Sequence, residues 1–265
     1  MTNMPRLSKS GIEWLRNPDG SQGYSWNFYS GCENKERGIC LVPNCWARSI
    51  TERFPAHYPN GFKPTFYPDA FLSPLSLKKP FIIGVCFMGD LFGDWVDPNK
   101  MVTISPVPGL GCADSIKEAI FKTIRQCPQH TFLFLTKCPW NYTKWGQFPD
   151  NCWLGITVTD GNDDKTLLPY FKKIEARVKF ISFEPLLHWW DSATSEMTKS
   201  LRIASINWII IGAQSHPDQQ PKEEWVAGII DAADKVAIPV FIKNNLTALP
   251  VNAFKDGKVR QERPK

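Results

Sequence analysis

Val178-Lys179-Phe180-Ile181-Ser182-Phe183-Glu184-Pro185 is a near-continuous apolar run that stops at a carboxylate and a proline. Such a run reads as a strand buried on both faces, the habit of parallel sheets covered by helices. The same form recurs on either side. Upstream stand Pro80-Phe81-Ile82-Ile83-Gly84-Val85-Cys86-Phe87-Met88, Thr131 to Thr136, and Trp153 to Thr159; downstream stand Ile206 to Gly212 and Ile238 to Lys243. Helical spacing separates most of them. Ile116, Ile120 and Ile124 follow Asp114 as a cap, a helix is expected around Leu168 to Ala176, and Trp225, Ile229, Ala233 and Val236 follow Pro221 and two glutamates.

Strands alternating with helices predict an α/β fold built on a parallel sheet, as a partial (β/α) barrel or an open doubly wound sheet. The strand ends favour the barrel. Nearly every apolar run closes in polar residues: Asp90, Thr136 with Lys137, Thr157 with Thr159 and Asp160, Glu184, Gln214 with Ser215, and Lys243. In a barrel of parallel strands those carboxyl ends gather at one mouth, where chemistry is conducted. The expectation is therefore a single-domain barrel over residues 23–248, an irregular lead-in over 1–22 and a basic tail over 249–265.

The net charge of +5 hints at a polyanionic partner, but Lys255 to Lys265 hold five basic and two acidic residues, leaving only +2 for the body. A solvated tail explains most of it. No apolar run reaches membrane-spanning length, and Met1-Thr2-Asn3-Met4-Pro5-Arg6 lacks the core of a signal peptide, so a cytoplasmic protein without a membrane partner is expected. Eight cysteines in such a chain argue for reduced thiols rather than a disulfide framework.

Three of them share one loop. Gly31-Cys32-Glu33-Asn34-Lys35-Glu36-Arg37-Gly38-Ile39-Cys40-Leu41-Val42-Pro43-Asn44-Cys45-Trp46-Ala47 lies between a short strand at Gly23 to Tyr29 and a helix on which Trp46, Ile50 and Phe54 repeat every fourth residue. Gly38 and Pro43 keep the segment out of a helix until Cys45. Thiolates on a curved loop approach a centre from different directions, which suits a soft ion or an iron–sulfur cluster. The spacing leaves two candidates open. One is cluster ligation by Cys32, Cys40 and Cys45; the other is a structural zinc completed by His57 or a further Cys.

With its thiol loop after the first strand, and Cys45-Trp46-Ala47 at its end, the chain resembles the radical S-adenosylmethionine superfamily with altered cysteine spacing. More closely it resembles the phage Gp37/Gp68-type three-Cys-motif family. The matching segments are Trp26-Asn27, Met88-Gly89-Asp90-Leu91-Phe92, Pro128-Gln129-His130-Thr131-Phe132, Leu135-Thr136-Lys137, Trp153-Leu154-Gly155, Phe183-Glu184-Pro185-Leu186-Leu187 and Trp208-Ile209-Ile210-Ile211-Gly212. Three departures stand out: four residues separate Cys40 from Cys45, more than is usual in the family, Cys138 replaces an arginine, and Gln214 replaces a glutamate. The resemblance implies a 4Fe-4S cluster on Cys32, Cys40 and Cys45, with S-adenosylmethionine on its open iron giving a 5′-deoxyadenosyl radical. It also implies an electron donor and a companion protein, and the mild basicity together with the phage association points to a nucleic-acid or nucleotide substrate. A zinc-stabilised nucleic-acid-binding module without catalysis is the alternative.

Several further residues take roles on this reading, each beside a plainer one. Met88, Gly89 and Asp90 are placed at the cofactor's amino group, against an ordinary Gly-Asp turn. Lys137 and Lys243 are placed at a carboxylate or phosphate, against solvated strand-end lysines. Glu184 is set toward ribose hydroxyls or substrate, against a structural salt bridge. Thr157, Thr159, Gln214 and Ser215 line a pocket. Cys138 is a candidate hydrogen donor, against packing, and with Glu184 it is a candidate catalytic residue. Cys86, Cys127 and Cys152 are expected to pack. Trp153, Trp208 and Trp225 are expected in the core, and His188-Trp189-Trp190 forms either an exposed patch or a packed corner.

Overall fold

A computed structural model of the chain describes residues 6–104, 112–189 and 194–264. Trp190 falls outside these. Eight strands form one mostly parallel sheet: β1 (Leu7–Lys9), β2 (Tyr24–Trp26), β3 (Ile82–Val85), β4 (Thr131–Thr136), β5 (Cys152–Thr157), β6 (Val178–Phe183), β7 (Trp208–Ile211) and β8 (Val240–Ile242). They lie side by side in chain order from β1 to β8, without the reversal of a doubly wound sheet. The helices are α1 (Trp46–Arg53), α2 (Ile116–Arg125), α3 (Tyr142–Trp145), α4 (Gly161–Phe171), α5 (Thr194–Ile203) and α6 (Glu223–Asp234). From β2 onward, a helix stands between each strand and the next. By compactness the chain divides into two units, Met1–Trp153 and Leu154–Lys265.

In the first unit, β1 is antiparallel to β2, while β2 with β3 and β3 with β4 are parallel. The register sets Trp26 beside Val85 and Gly84 beside Leu133. Trp26, Phe28, Phe71 and Phe132 pack as one aromatic cluster, and Phe92, Phe134, Tyr142, Trp145 and Phe148 as another. Helix α2 buries Ile116, Ile120 and Ile124 at its four-residue spacing, each worth about 1.5–3 kcal/mol of transfer energy. Its cap is Ser115, not Asp114, because the Ser115 hydroxyl accepts from the Glu118 amide at 3.3 Å. Asp114 lies on a two-stranded ribbon, Met101–Ile104 with Cys112–Ser115, and meets Lys122 instead.

Helix α1 follows the thiol loop as expected, but its fourth-residue stripe points outward: Ala47 and Thr51 are buried, whereas Trp46 and Phe54 are 52% and 38% exposed. The lead-in is likewise more ordered than its sequence implies, since it supplies β1. Cys86 lies just past β3 in the left-handed region, at φ 58°. It is buried, as are Cys127 and Cys152.

In the second unit, β6, β7 and β8 run parallel, with Phe183 beside Ile211 and Ile211 beside Ile242. Every residue of these three strands is buried. The helix expected at Leu168 to Ala176 runs earlier, Gly161–Phe171, and the Phe171 carbonyl at its end accepts from the buried Lys179 ammonium at 3.4 Å. Burial pulls the Lys179 pKa below the ordinary lysine value. Trp208 is fully buried, but Trp225 is only partly so, and so is Trp153 of the first unit. Trp189 is buried against Phe183, so it is packed rather than part of an exposed patch, and His188 is half-buried.

The basic tail is largely exposed, as expected, but it is not without structure. A hairpin pairs Phe254–Lys255 with Lys258–Val259, and Gln261 bridges to Phe241. The Arg260 guanidinium, 7% exposed, forks onto Asp234 at 2.8 and 3.0 Å and onto Glu262 at 2.8 Å. Burial opposes ionisation of Glu262, yet the Lys255 ammonium, the Val240 amide and Arg260 outweigh it and hold its pKa down at about 2. Among the described residues no helix is long and apolar enough to cross a membrane.

Candidate functional site

The first unit builds its site where the thiol loop meets the end of β3. Gly31 and Gly89 bring two backbones into contact, with the Gly31 amide donating to the Met88 carbonyl at 3.0 Å. A Cβ on Gly89 would sit 2.3 Å from the Gly31 carbonyl oxygen, and one on Gly31 would sit 2.4 Å from Lys63 backbone, at φ +90°. Glycine is required at both positions by the chain's own packing. Met88 is buried beside them.

Asp90 follows at once, 5% exposed. Its Oδ1 accepts from the Thr136 hydroxyl at 2.7 Å and the Phe92 amide at 3.1 Å, and its Oδ2 accepts from Asn34 Nδ2 at 2.8 Å and the Lys137 amide at 3.0 Å. Four neutral donors thus solvate a buried carboxylate, tying the ends of β3 and β4 to the thiol loop.

Asn34 is the residue that sequence reasoning missed. It is only 2% exposed, and its side-chain Oδ1 accepts from the Cys138 thiol at 3.2 Å while its Nδ2 donates to Asp90. Its carbonyl accepts from the Ile39 and Cys40 amides at 2.8 and 3.0 Å, and its own amide donates to Cys32 Sγ at 3.4 Å. One asparagine therefore organises the loop around the thiols. An asparagine in a glycine-bearing loop looks like a turn residue, and nothing in its sequence neighbourhood reports a partner far along the chain.

Cys32, Cys40 and Cys45 are all free and half-buried. Burial pushes the Cys32 thiol well above its usual range, and the charges of Asp90, Cys40 and Cys45 push it further. Cys138 is fully buried, and burial, then Asp90, raises its pKa in the same way, so it keeps its proton at neutral pH. The Lys137 side chain is half-buried and makes no hydrogen bond or ion pair among the described residues. His57 stacks on Phe54, and its backbone carbonyl accepts from Arg6 at 2.6 Å.

A soft ion or cluster fits this donor set by chemistry: three unoxidised thiols on one loop, one already accepting an amide N–H as cluster sulfurs do. Among the described residues, however, no three His, Cys, Asp or Glu side chains are gathered into a group that could hold a metal ion. Ligand binding at Cys32 entails loss of the thiol proton that burial there favours.

In the second unit the strand register explains the site. Glu184, Gly212 and Lys243 each follow the aligned residues Phe183, Ile211 and Ile242. Two strand spacings separate the outer pair, and the bare Gly212 between them lets the side chains meet: a Cβ there would lie 2.9 Å from Lys243 Cδ and 3.2 Å from Glu184 Cγ. Lys243 Nζ lies 2.5 Å from Glu184 Oε1, and the Ser182 hydroxyl donates to Oε2 at 3.0 Å. The salt bridge set beside a ligand role for Glu184 is therefore present.

Thr157 and Thr159 are buried, and the Thr159 carbonyl accepts from the Leu187 amide at 2.8 Å. Gln214 is 4% exposed; its Nε2 donates to the Pro217 carbonyl at 3.0 Å, while its Oε1 is buried with no partner among the described residues. Ser215 is exposed and accepts from Asn245 Nδ2 at 3.2 Å. Asn245, unremarked in sequence, also clasps both backbone groups of Ala213.

Compared with known families, residues 9–264 match a family profile described as Protein of unknown function (DUF5131). No curated protein and no solved structure matches the chain.

Proposed function

The chain belongs to the DUF5131 family, and from that premise we propose that it is a radical S-adenosylmethionine enzyme on a partial (β/α) barrel. Cys32, Cys40 and Cys45 are the cluster ligands. The observation that carries this reading is the convergence of the thiol loop on Asn34, whose hydrogen bonds reach Cys32, Cys40, Cys138 and Asp90. A 4Fe-4S cluster held there would supply reductive cleavage of S-adenosylmethionine to a 5′-deoxyadenosyl radical.

The chain's own groups do the rest. Asp90, with all four hydrogen bonds made internally, fixes the loop's position; Lys137, with its ammonium uncommitted, is the cation for a carboxylate. Cys138, protonated by burial, is a hydrogen donor. In the second unit, the orphan Gln214 Oε1 asks for a ligand's donor, and the Glu184–Lys243 pair offers one acceptor and one cation. The substrate is a nucleic acid or nucleotide, and an electron donor and a companion protein complete the system.

Anaerobic purification followed by iron, sulfide and zinc assays tests the proposal: about four irons per chain and 5′-deoxyadenosine on reduction are expected, and serine at Cys32 should abolish both. Stoichiometric zinc without cofactor cleavage would instead establish a zinc-stabilised nucleic-acid-binding module. One observation favours that second reading: Cys138, electrostatically coupled to Cys32 and bonded to the same asparagine, is a fourth thiol at hand.

A further inference from the structure

We propose that the outward stripe of α1 is the docking surface for an acidic electron-carrier protein that feeds the centre on the thiol loop. This rests on the cluster reading of Cys32, Cys40 and Cys45, and adds the carrier's place and its charge. Helix α1 is turned against the usual amphipathic rule. Its small residues Ala47 and Thr51 are the buried ones, while Trp46 and Phe54 are exposed and Ile50 between them is half-buried. Residues four apart share one helix face, so these three form a ridge rather than scattered surface positions. An exposed apolar ridge with a tryptophan in it marks a protein contact site.

Position and charge decide the occupant. Cys45 is the amino-terminal cap of α1, its carbonyl accepting from the Ser49 amide at 3.1 Å, so the ridge begins at the residue next to a thiol. Electron transfer between proteins falls steeply with separation, and a carrier seated on Trp46 stands beside the ligand loop. The ridge carries charge of one sign. Arg53, seven residues from Trp46 and so about 20° round the helix from it, lies over the Phe54 ring at 5.5 Å and makes no hydrogen bond or ion pair among the described residues. Glu52, the one acid of α1, is about 120° round from Trp46. Arg48 is paired with Glu36, which leaves Arg53 as the helix's unpaired cation among the described residues.

An apolar ridge bearing a cation complements an acidic surface with an apolar centre. A second copy of the chain would set two ridges of the same charge together, which opposes self-association. Three apolar side chains make a small contact, and that suits a carrier that must leave after each transfer, since electron-transfer encounters bury little area. In each encounter the carrier is oxidised by one electron and the centre is reduced by one, with no bond made or broken between the partners.

The test uses the full chain and a fluorescein-labelled plant-type ferredoxin, an acidic low-potential carrier, with binding read by anisotropy. Formation of 5′-deoxyadenosine is then followed with either that ferredoxin or dithionite as reductant. Wild type should bind ferredoxin with an affinity that falls as salt rises. Trp46→Ser and Arg53→Glu should each weaken binding about tenfold or more, and slow ferredoxin-driven cleavage to match. Iron content and dithionite-driven cleavage should stay unchanged in both; Arg53, far from the cap, keeps the result clear of the loop. Equal ferredoxin affinity in wild type and both variants, or no ferredoxin binding at low ionic strength, overturns the proposal. A wild-type dimer that Trp46→Ser dissociates assigns the ridge to a second copy and overturns it too. No dithionite-driven cleavage in wild type is instead the failure of the cluster reading, and the electron-carrier role falls with it.

Discussion

Asp90 and Glu184 are both carboxylates just beyond the end of a buried strand, and the two units satisfy them in opposite ways. Asp90 takes four neutral donors and, among the described residues, no cation; the partners of Glu184 include the Lys243 ammonium and the Ser182 hydroxyl. Four neutral hydrogen bonds from separate segments lock a carboxylate in place, because moving it strands several donors at once. An ion pair needs only one exchange of partner. The first arrangement needs no ion pair; the second is built on one.

The largest effect should come from Asp90→Ala. Leaving the Asn34, Phe92 and Lys137 donors unpaired should cost about 4 kcal/mol in urea unfolding and expose the thiol loop to proteolysis. A loss under about 1 kcal/mol would erase the contrast with Glu184. Next come Lys243→Met and Glu184→Gln, each expected to cost about 2 kcal/mol, with the double variant recovering about 1–2 kcal/mol of coupling. Strict additivity would mean that the pair is not the partner that holds Glu184.

The two sites should also part in alkali. Cys32 and Cys138 have folded pKa values raised above the ordinary thiol value of 9.0, so the folded state keeps protons that the unfolded chain releases. Their stabilising contribution is complete below pH 9 and is lost as pH climbs above it, by up to about 1.4 kcal/mol per pH unit for each thiol. Replacing both with serine should lessen the fall of urea midpoints between pH 9 and 10, the buried Cys86 and Cys152 keeping the remainder. The smallest effect belongs to Ser182→Ala, which removes one hydrogen bond from Glu184 and should cost about 0.5–1 kcal/mol by thermal unfolding.

Strands whose apolar runs are continuous were legible from composition alone: Thr131–Thr136 and Val178–Phe183 carry no polar interruption that matters. Shorter or mixed elements were not. Leu7–Lys9 is an edge strand with one antiparallel neighbour, so its sequence need not be apolar, and Thr194–Ile203 buries only Met197 and Leu201 among polar residues. The terminal segment read as solvated because its charge is high, yet Arg260 is neutralised by carboxylates distant or adjacent in sequence. Strand-end polar residues could be picked out singly, but Asn34 and Asn245 could not, since amide side chains show their role only when tertiary contact supplies partners.

The bridge from Gln261 to Phe241 has a consequence for how the protein is made. With Ile242 donating to the Arg260 carbonyl and Glu262 donating to the Val240 carbonyl, the open flank of β8 is closed by residues 260–262. A nascent chain lacking them presents a raw strand margin that another copy can extend. Its tendency to pair with another copy during synthesis therefore persists until those three residues emerge.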